Sequence, residues 1–125
     1  MYKLTIAIDP VAKPRMTRSD RWKKRPCVMR YRDYSNRLRK AALLQKYVPA
    51  NELIMQFHIK MPVSWSKKKK EQMKGKPMQS RPDIDNLEKA ILDSLFPNDD
   101  SAVWKVCASK RWADFGSVTI ENGKK

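Results

Sequence analysis

Tyr2, Leu4, Ile6 and Ile8 alternate with Lys3, Thr5 and Asp9 at the head of the chain, a period of two that predicts a strand over 2–9 with one buried face. Pro10, Pro14 and Pro26 then bracket a polar, basic stretch with no periodicity. It reads as a long loop, and loops of more than about 12–15 residues in compact domains tend to be functional. From Asp33 or Ser35, either of which can cap, "YSNRLRKAALLQKYV" places Leu38, Ala41, Ala42 and Gln45 on one stripe, with Pro49 as the stop, predicting a helix with a basic outer face. "ELIMQFHIKM" at 52–61 alternates Leu53, Met55, Phe57, Ile59 and Met61 against Ile54, Gln56, His58 and Lys60, so it is a strand, and His58 on its other face is assigned no role. "SWSKKKKEQMKGK" has a Ser cap at 64 or 66 and Gly75 as a stop, which predicts a short helix whose lysines form a solvated face.

Ile84, Leu87, Ile91 and Leu95 recur at helical spacing, with Pro82 at the start and Pro97 and Asn98 at the end, predicting a second long helix over 83–96. "AVWKVCASKRW" and "GSVTIE" alternate again around a short turn at Asp114–Gly116, the pattern of a terminal antiparallel hairpin. The order β, loop, α, β, short α, α, β, β contains no repeated βαβ unit. It predicts a single compact α+β domain over residues 1–125, with two main helices covering one side of a mostly antiparallel or mixed sheet.

Charge narrows the partners. The chain holds 28 Lys plus Arg against 13 Asp plus Glu, a formal charge of +15, and such a chain gains free energy on polyanions because phosphate neutralisation releases condensed counterions. The densest basic stretch is "KPRMTRSDRWKKRPCVMRYR" at 13–32. Lys13, Arg15, Arg18, Arg21, Lys23 and Lys24, together with Arg81, are the candidate DNA contacts. No run approaches the ~20 apolar residues of a membrane span, and no long basic amphipathic helix points to a membrane surface. Cys27 and Cys107 lack the spacing of zinc motifs and, with no export signal ahead of them, read as reduced thiols of a cytoplasmic protein. Among the tryptophans, Trp22 is the best candidate for stacking on bases, while Trp65, Trp104 and Trp112 read as packing residues.

Against this background "RPDIDNLEKAILDSLFPNDD", 81–100, concentrates six acids: Asp83, Asp85, Glu88, Asp93, Asp99 and Asp100. Asp83 and Asp85 stand where the chain turns into the helix, so their carboxylates can converge. Asp99 and Asp100 follow the helix and join them only if the 99–104 segment folds back along it. Carboxylates forced together resist ionisation unless a cation joins them. Mg2+ fits, being hard, oxygen-seeking and commonly held by one or two carboxylates plus a substrate phosphate. The implied reaction is phosphodiester hydrolysis, with Lys89, one helical turn beyond Asp85, available to stabilise transition-state charge. Taken singly, each acid also has a plain structural role: Asp83 as a cap, Asp85 as the i,i+4 partner of Lys89, Asp99 and Asp100 as turn residues. Together, on so basic a chain, they point to a metal site, with Glu88 and Asp93 left to surface pairing.

These residues resemble the RusA-type crossover-junction endodeoxyribonucleases, small phage-associated resolvases of Holliday junctions. The likeness is carried by "RPDIDNLEKAILDSL" followed by "NDDSAV" and, more loosely, by "AKPRMTR" at 12–18 and the terminal strands. It implies a RusA-like fold, Asp83, Asp85 and Asp100 as catalytic Mg2+ ligands with Asp99 as the alternative, Lys89 in a basic catalytic role and Asn86 as support. It also implies four-way or branched DNA as substrate, a homodimer making paired symmetric nicks, and a phage or prophage enzyme working in a bacterial cytoplasm in DNA recombination and repair. The connection "FPN" is shorter than the family's usual one, which leaves the register of the Asp99–Asp100 pair open. Two other readings stand beside this one: a nuclease for other branched DNA, and a non-enzymatic basic nucleic-acid-binding protein. The second needs no acid cluster, because acids beside a phosphate weaken binding.

Overall fold

The most regular apolar alternation in the chain, Leu53, Met55 and Phe57, forms the centre of the sheet in the computed structural model, which describes residues 2–15, 17–21 and 25–123, without the side chains of Asp20 and Arg21. The strands are β1 (Lys3–Ile6), β2 (Glu52–Lys60), β3 (Lys105–Ala113) and β4 (Ser117–Asn122), and the helices are α1 (Pro26–Leu44), α2 (Lys67–Met73) and α3 (Ile84–Leu95), with a 3-10 turn at Arg18–Arg21. The sheet order is β1-β4-β2-β3. β4 pairs antiparallel with both β1 and β2, whereas β2 and β3 run parallel, from Glu52 opposite Lys105 to Lys60 opposite Ala113. A parallel pair requires a long crossover, and the chain between β2 and β3 supplies it with α2 and α3. The result is the expected single α+β domain with a mixed sheet.

The core lies between the sheet and the α1–α3 pair. Leu4, Leu53, Met55, Phe57, Val118 and Ile120 meet Tyr34 and Leu38 from α1 and Leu87, Ala90 and Ile91 from α3. Helix-facing positions on β3 continue this surface with Val106 and Ala108. Where α1 crosses α3, the buried Ser94 and Ser35 hydroxyls bond each other at 2.8 Å, and Ser94 also reaches the Ala90 carbonyl at 2.6 Å. Arg39 Nε donates to the Ser94 carbonyl at 2.9 Å. Two small polar residues thereby satisfy one another in a place where an unpaired hydroxyl is costly.

Three expectations are corrected. First, α1 begins at Pro26, not at Asp33 or Ser35. Pro26 occupies the first helical turn, where its missing N–H is harmless, and the stripe Val28, Tyr31, Ser35, Leu38 is buried. That stripe carries a tyrosine and a serine among arginines, so it does not read as apolar, and Ser35 is a core residue rather than a cap. Second, β1 is limited to Lys3–Ile6, since the chain leaves the sheet before Pro10. Third, β3 and β4 are not a hairpin, because β2 lies between them. Their connection at 114–116 steps over two strand spacings, about 10 Å, which three extended residues can span. Alternation shows that both segments are strands but carries no information about which strand each one meets. Gly116 serves that step, because a Cβ there would stand 1.9 Å from Asp9 Oδ1 and 2.8 Å from Asp9 Cα.

Other boundaries match closely. Ser66 caps α2 by accepting from Lys69 N at 3.2 Å, Gly75 follows with φ of 80°, and α3 starts just after Asp83. Ile91 is fully buried between the sheet and α1, so Ile91→Ala should cost about 2–5 kcal/mol in denaturant unfolding. Leu43→Ser, at a site 80 % exposed, should shift stability by only about 0.5 kcal/mol.

Candidate active site

The start of α3 is held by a residue that the sequence reading overlooked. Lys110 lies on the helix-facing side of β3, in register with Phe57, and its ammonium donates to the Ser80 carbonyl at 2.5 Å and the Pro82 carbonyl at 2.6 Å. The chain then passes through a cis Arg81–Pro82 bond into Asp83, the N-cap of α3. A signal for Lys110 was present: in the alternation Val106, Ala108, Lys110 the third helix-facing position is a cation, and a cation on a core-facing register needs a polar partner.

An N-cap aspartate ordinarily spends its side chain on a backbone N–H of the first turn. Asp83 does not, since α3 has no side-chain cap bond and, among the described residues, only the Asp83 carbonyl is engaged, by Leu87 N at 3.2 Å. Asp85, in the first turn, is likewise exposed. Among the described residues it forms no ion pair with Lys89. Both of the plain structural roles open to these aspartates are therefore unfilled. The two carboxylates stand at the N-terminal end of the helix. Their field reaches one turn further: Glu88 is raised above the ordinary carboxylate range, first by burial and then by the Asp85 charge.

At the other end of α3 the two remaining aspartates divide. Asp99 accepts from Ser101 N and from the Ser101 hydroxyl, both at 2.9 Å, and these bonds hold its carboxyl below the usual range. It is a turn residue. Asp100 accepts from Val103 N through its backbone carbonyl at 3.0 Å, and among the described residues its carboxylate has no partner. The 12 residues of α3 rise about 18 Å. The return path has the same length: Trp104 N meets the Asn51 carbonyl at 3.0 Å at one end of the sheet, and Lys110, about 20 Å along β3, meets Pro82 at the other. The chain does fold back along the helix, but from Trp104 onward, which is too late to carry Asp99 or Asp100 to Asp83 and Asp85. Among the described residues no three His, Cys, Asp or Glu side chains gather closely enough to hold a metal ion.

The basic loop lies against the same helix. Lys13, Pro14 and Arg15 line a cleft with Asn86 and Lys89. Lys13 N donates to the Asn86 carbonyl at 3.1 Å, and the Lys13 ammonium is ion-paired with the half-buried Asp93 carboxylate. Lys13, expected as a DNA contact, thus also fastens the loop to α3, and Asp93 makes the pairing expected of it. Arg25 Nη2 braces the loop at the Arg15 carbonyl, 3.0 Å away. Arg15, Arg18 and Arg81 are exposed, while Lys23, Lys24, Trp22 and the Arg21 side chain lie outside the described residues. Trp65 and Trp112 pack against each other at 4.8 Å with Lys69 over the Trp65 ring. Trp104 is 71 % exposed.

With two carboxylates unpaired among the described residues at the head of a helix, a lysine one turn on and a basic loop pinned alongside, the comparison with known families is informative. The model of the family "Endodeoxyribonuclease RusA" matches residues 7–121 of the 125. This chain belongs to the RusA endodeoxyribonuclease family. As a RusA-family protein it is a hydrolase of DNA phosphodiester bonds, from a family of divalent-metal-dependent nucleases that bind branched DNA and resolve Holliday junctions. No curated protein matches the chain. Among the described residues no helix is long and apolar enough to cross a membrane.

In this RusA-family chain the Glu88 shift has a definite sign. A carboxyl whose folded pKa is raised binds its proton more tightly in the native state, so ionised Glu88 lowers stability above that pKa, and the penalty is absent below the ordinary carboxylate pKa. Glu88→Gln should therefore raise the denaturant midpoint at neutral pH, with the gain shrinking as the pH falls to about 3.5. A gain that grew on acidification would contradict this origin.

Proposed function

We propose that this chain resolves four-way DNA junctions by Mg2+-dependent hydrolysis, in paired nicks made by a symmetric homodimer, and that Asp83 and Asp85 are the core of its catalytic site. One observation carries the reading: on a chain of charge +15, the Asp83 side chain does not cap α3, and among the described residues neither Asp83 nor Asp85 forms an ion pair, Lys89 one turn away included. The donor set fits the metal. Hard carboxylate oxygens without competing hydrogen bonds, beside a basic surface that can bring phosphate oxygens, are the ligands that Mg2+ accepts. Asp100, whose carboxylate has no partner among the described residues while that of Asp99 is committed to Ser101, is the third donor, and a helix length separates it from the other two. The homodimer supplies the remedy, with Asp100 of one copy serving the Asp83–Asp85 pair of the other.

When bound, the ion supplies an acidified water and positive charge at the scissile phosphate. The chain's own groups do the rest. Lys110 fixes the backbone from which Asp83 projects. Lys89, lining the cleft with Arg15, places an ammonium against phosphate oxygens and acts where charge builds up in the transition state. Arg15, Arg18 and Arg81, with Arg21, Lys23 and Lys24, neutralise the DNA arms, and Lys13 holds the loop in place as it contributes charge. The setting implied by the family is the cytoplasm of a bacterial host carrying a phage or prophage.

Asp83→Asn or Asp85→Asn should abolish nicking of a labelled junction while gel-shift binding persists, because a lost ligand removes water activation and also reduces repulsion of phosphate. A folded double variant that nicked at the wild-type rate would remove these residues from the site. Asp100→Asn should match that loss, whereas Asp99→Asn, which keeps an oxygen for Ser101 N, should retain most activity. Lys89→Ala should lower kcat by about 100-fold with a much smaller change in binding. Equal losses in both would make Lys89 a phosphate anchor only.

A further inference from the structure

We propose that α2 is a second DNA-binding surface: Lys67 and Lys68, with Lys76 of the segment that follows, hold the phosphate backbone of a duplex arm on the flank of the Asp83–Asp85 site opposite the basic loop. This deepens the reading above and rests on it for the substrate. The lysines expected to form only a solvated face thereby acquire a partner.

Lys67, Lys68, Lys69 and Lys70 follow the Ser66 cap in a helix of seven residues. So short a helix is marginal on its own, and Lys67 and Lys70, one turn apart and alike in charge, add repulsion. The fold nevertheless holds it in place. Trp65, just ahead of the cap, packs on Trp112 of β3 with ring centroids 4.8 Å apart. The chain leaving α2 is tied to the same strand: Gly75 N donates to the Trp112 carbonyl at 2.9 Å, Trp112 N to the Lys76 carbonyl at 3.0 Å and Met78 N to the Lys110 carbonyl at 3.0 Å, while Arg111 Nη1 reaches the Gly75 carbonyl at 3.0 Å. Some of the cations are already engaged. The Lys69 ammonium lies 4.3 Å from the centroid of the Trp65 ring, and Lys74 pairs with Asp114 at 2.6 Å. Lys67, Lys68 and Lys76 are exposed, and among the described residues none of their ammonium groups has an ion pair or hydrogen bond, although Glu71 stands one turn from Lys67 and Lys68.

The anchor sets where these lysines stand. Trp112 is two residues beyond Lys110 on the same face of β3, about 7 Å along the strand, and Lys110 holds the Ser80 and Pro82 carbonyls just ahead of Asp83. α2 is therefore fastened at the end of the sheet where α3 begins. The basic loop reaches α3 from the other flank, between α1 and α3, where the paired charges of Lys13 and Asp93 both act on Tyr31 of α1. The exposed carboxylates of Asp83 and Asp85 thus lie between two separately anchored basic segments. A duplex carries phosphate charge on both sides of any one bond, so a strand seated at these carboxylates runs onto the loop in one direction and onto α2 in the other.

The test measures binding of a fluorescent four-way junction by the full chain, in Mg2+-free buffer, over a range of salt concentrations. Lys67→Gln combined with Lys68→Gln should flatten the slope of log Kd against log salt by about 1.8, at about 0.9 per lost phosphate contact, and weaken binding roughly 10- to 100-fold at about 0.1 M salt. The melting temperature should stay unchanged, because both sites are exposed and glutamine is a good helix former. Lys3→Gln combined with Lys40→Gln has the same net charge but removes exposed lysines at the far end of the molecule, where Lys3 stands opposite Glu121 and Lys40 follows the Arg39 that meets Ser94. Its slope should match that of the wild type. An unchanged slope in the α2 variant overturns the proposal, and so does an equal fall in both variants, which would make net charge alone responsible. Mg2+-dependent nicking of the same junction by the wild type, followed in parallel, keeps the nuclease reading separate: nicking with an unaltered α2 slope removes only this surface, and a flattened α2 slope without nicking removes the nuclease and leaves the surface.

Discussion

A twelve-residue helix is a rigid strut, and the length of α3 is the constraint on which the rest of the site depends. Its first turn carries Asp83 and Asp85, and the chain just past its end carries Asp99 and Asp100. Backbone hydrogen bonding fixes the two groups about 18 Å apart. No side-chain rearrangement removes that distance. Because β2 and β3 are parallel, the chain must cross over between them, and α3 lies along the sheet with β3 returning beneath it. The topology that builds the sheet therefore also holds the acids apart within one chain.

Two lysines set the ends of this arrangement to the site's advantage. Lys110 reaches from the sheet to the carbonyls that precede α3, and Lys13 ties the basic loop to Asp93 and Asn86. Each spends its charge inside the protein, where few groups are available to share it. The basic surface that remains includes Arg15 and Lys89 at the cleft and the exposed Arg18 and Arg81. In the function proposed above, a polyanion attracted by net charge meets the carboxylates of Asp83 and Asp85, and a cation bridging the two resolves the conflict.

Much of this was legible in the residues. The alternation of β2, the Ser66 cap, the positive-φ Gly75 and the amphipathic stripe of α3 are local patterns, and local physics fixed them. The acid positions were legible as well, because six acids in a strongly basic chain are conspicuous. What could not be read was non-local. The start of α1 was hidden by arginines on its outer face and by Tyr31 and Ser35 in its stripe. The insertion of β2 between β3 and β4 leaves no mark on the alternation of any of them. Whether 99–104 folded back early enough depended on where β3 began, a matter of a few residues at Trp104, and boundaries are the weakest part of any pattern reading.

The central claim is that Asp100 of one copy completes the Asp83–Asp85 site of another, and mixing two inactive chains tests it most directly. One chain carries Asp83→Asn and Asp85→Asn, the other Asp100→Asn, and the two are exchanged into mixed dimers and assayed for Mg2+-dependent nicking of a four-way junction. A mixed dimer then holds one site with all three carboxylates, so nicking should return, confined to single cuts and absent from either variant alone. Mixed dimers that form, as mass measurement would show, yet stay inactive would contradict the claim.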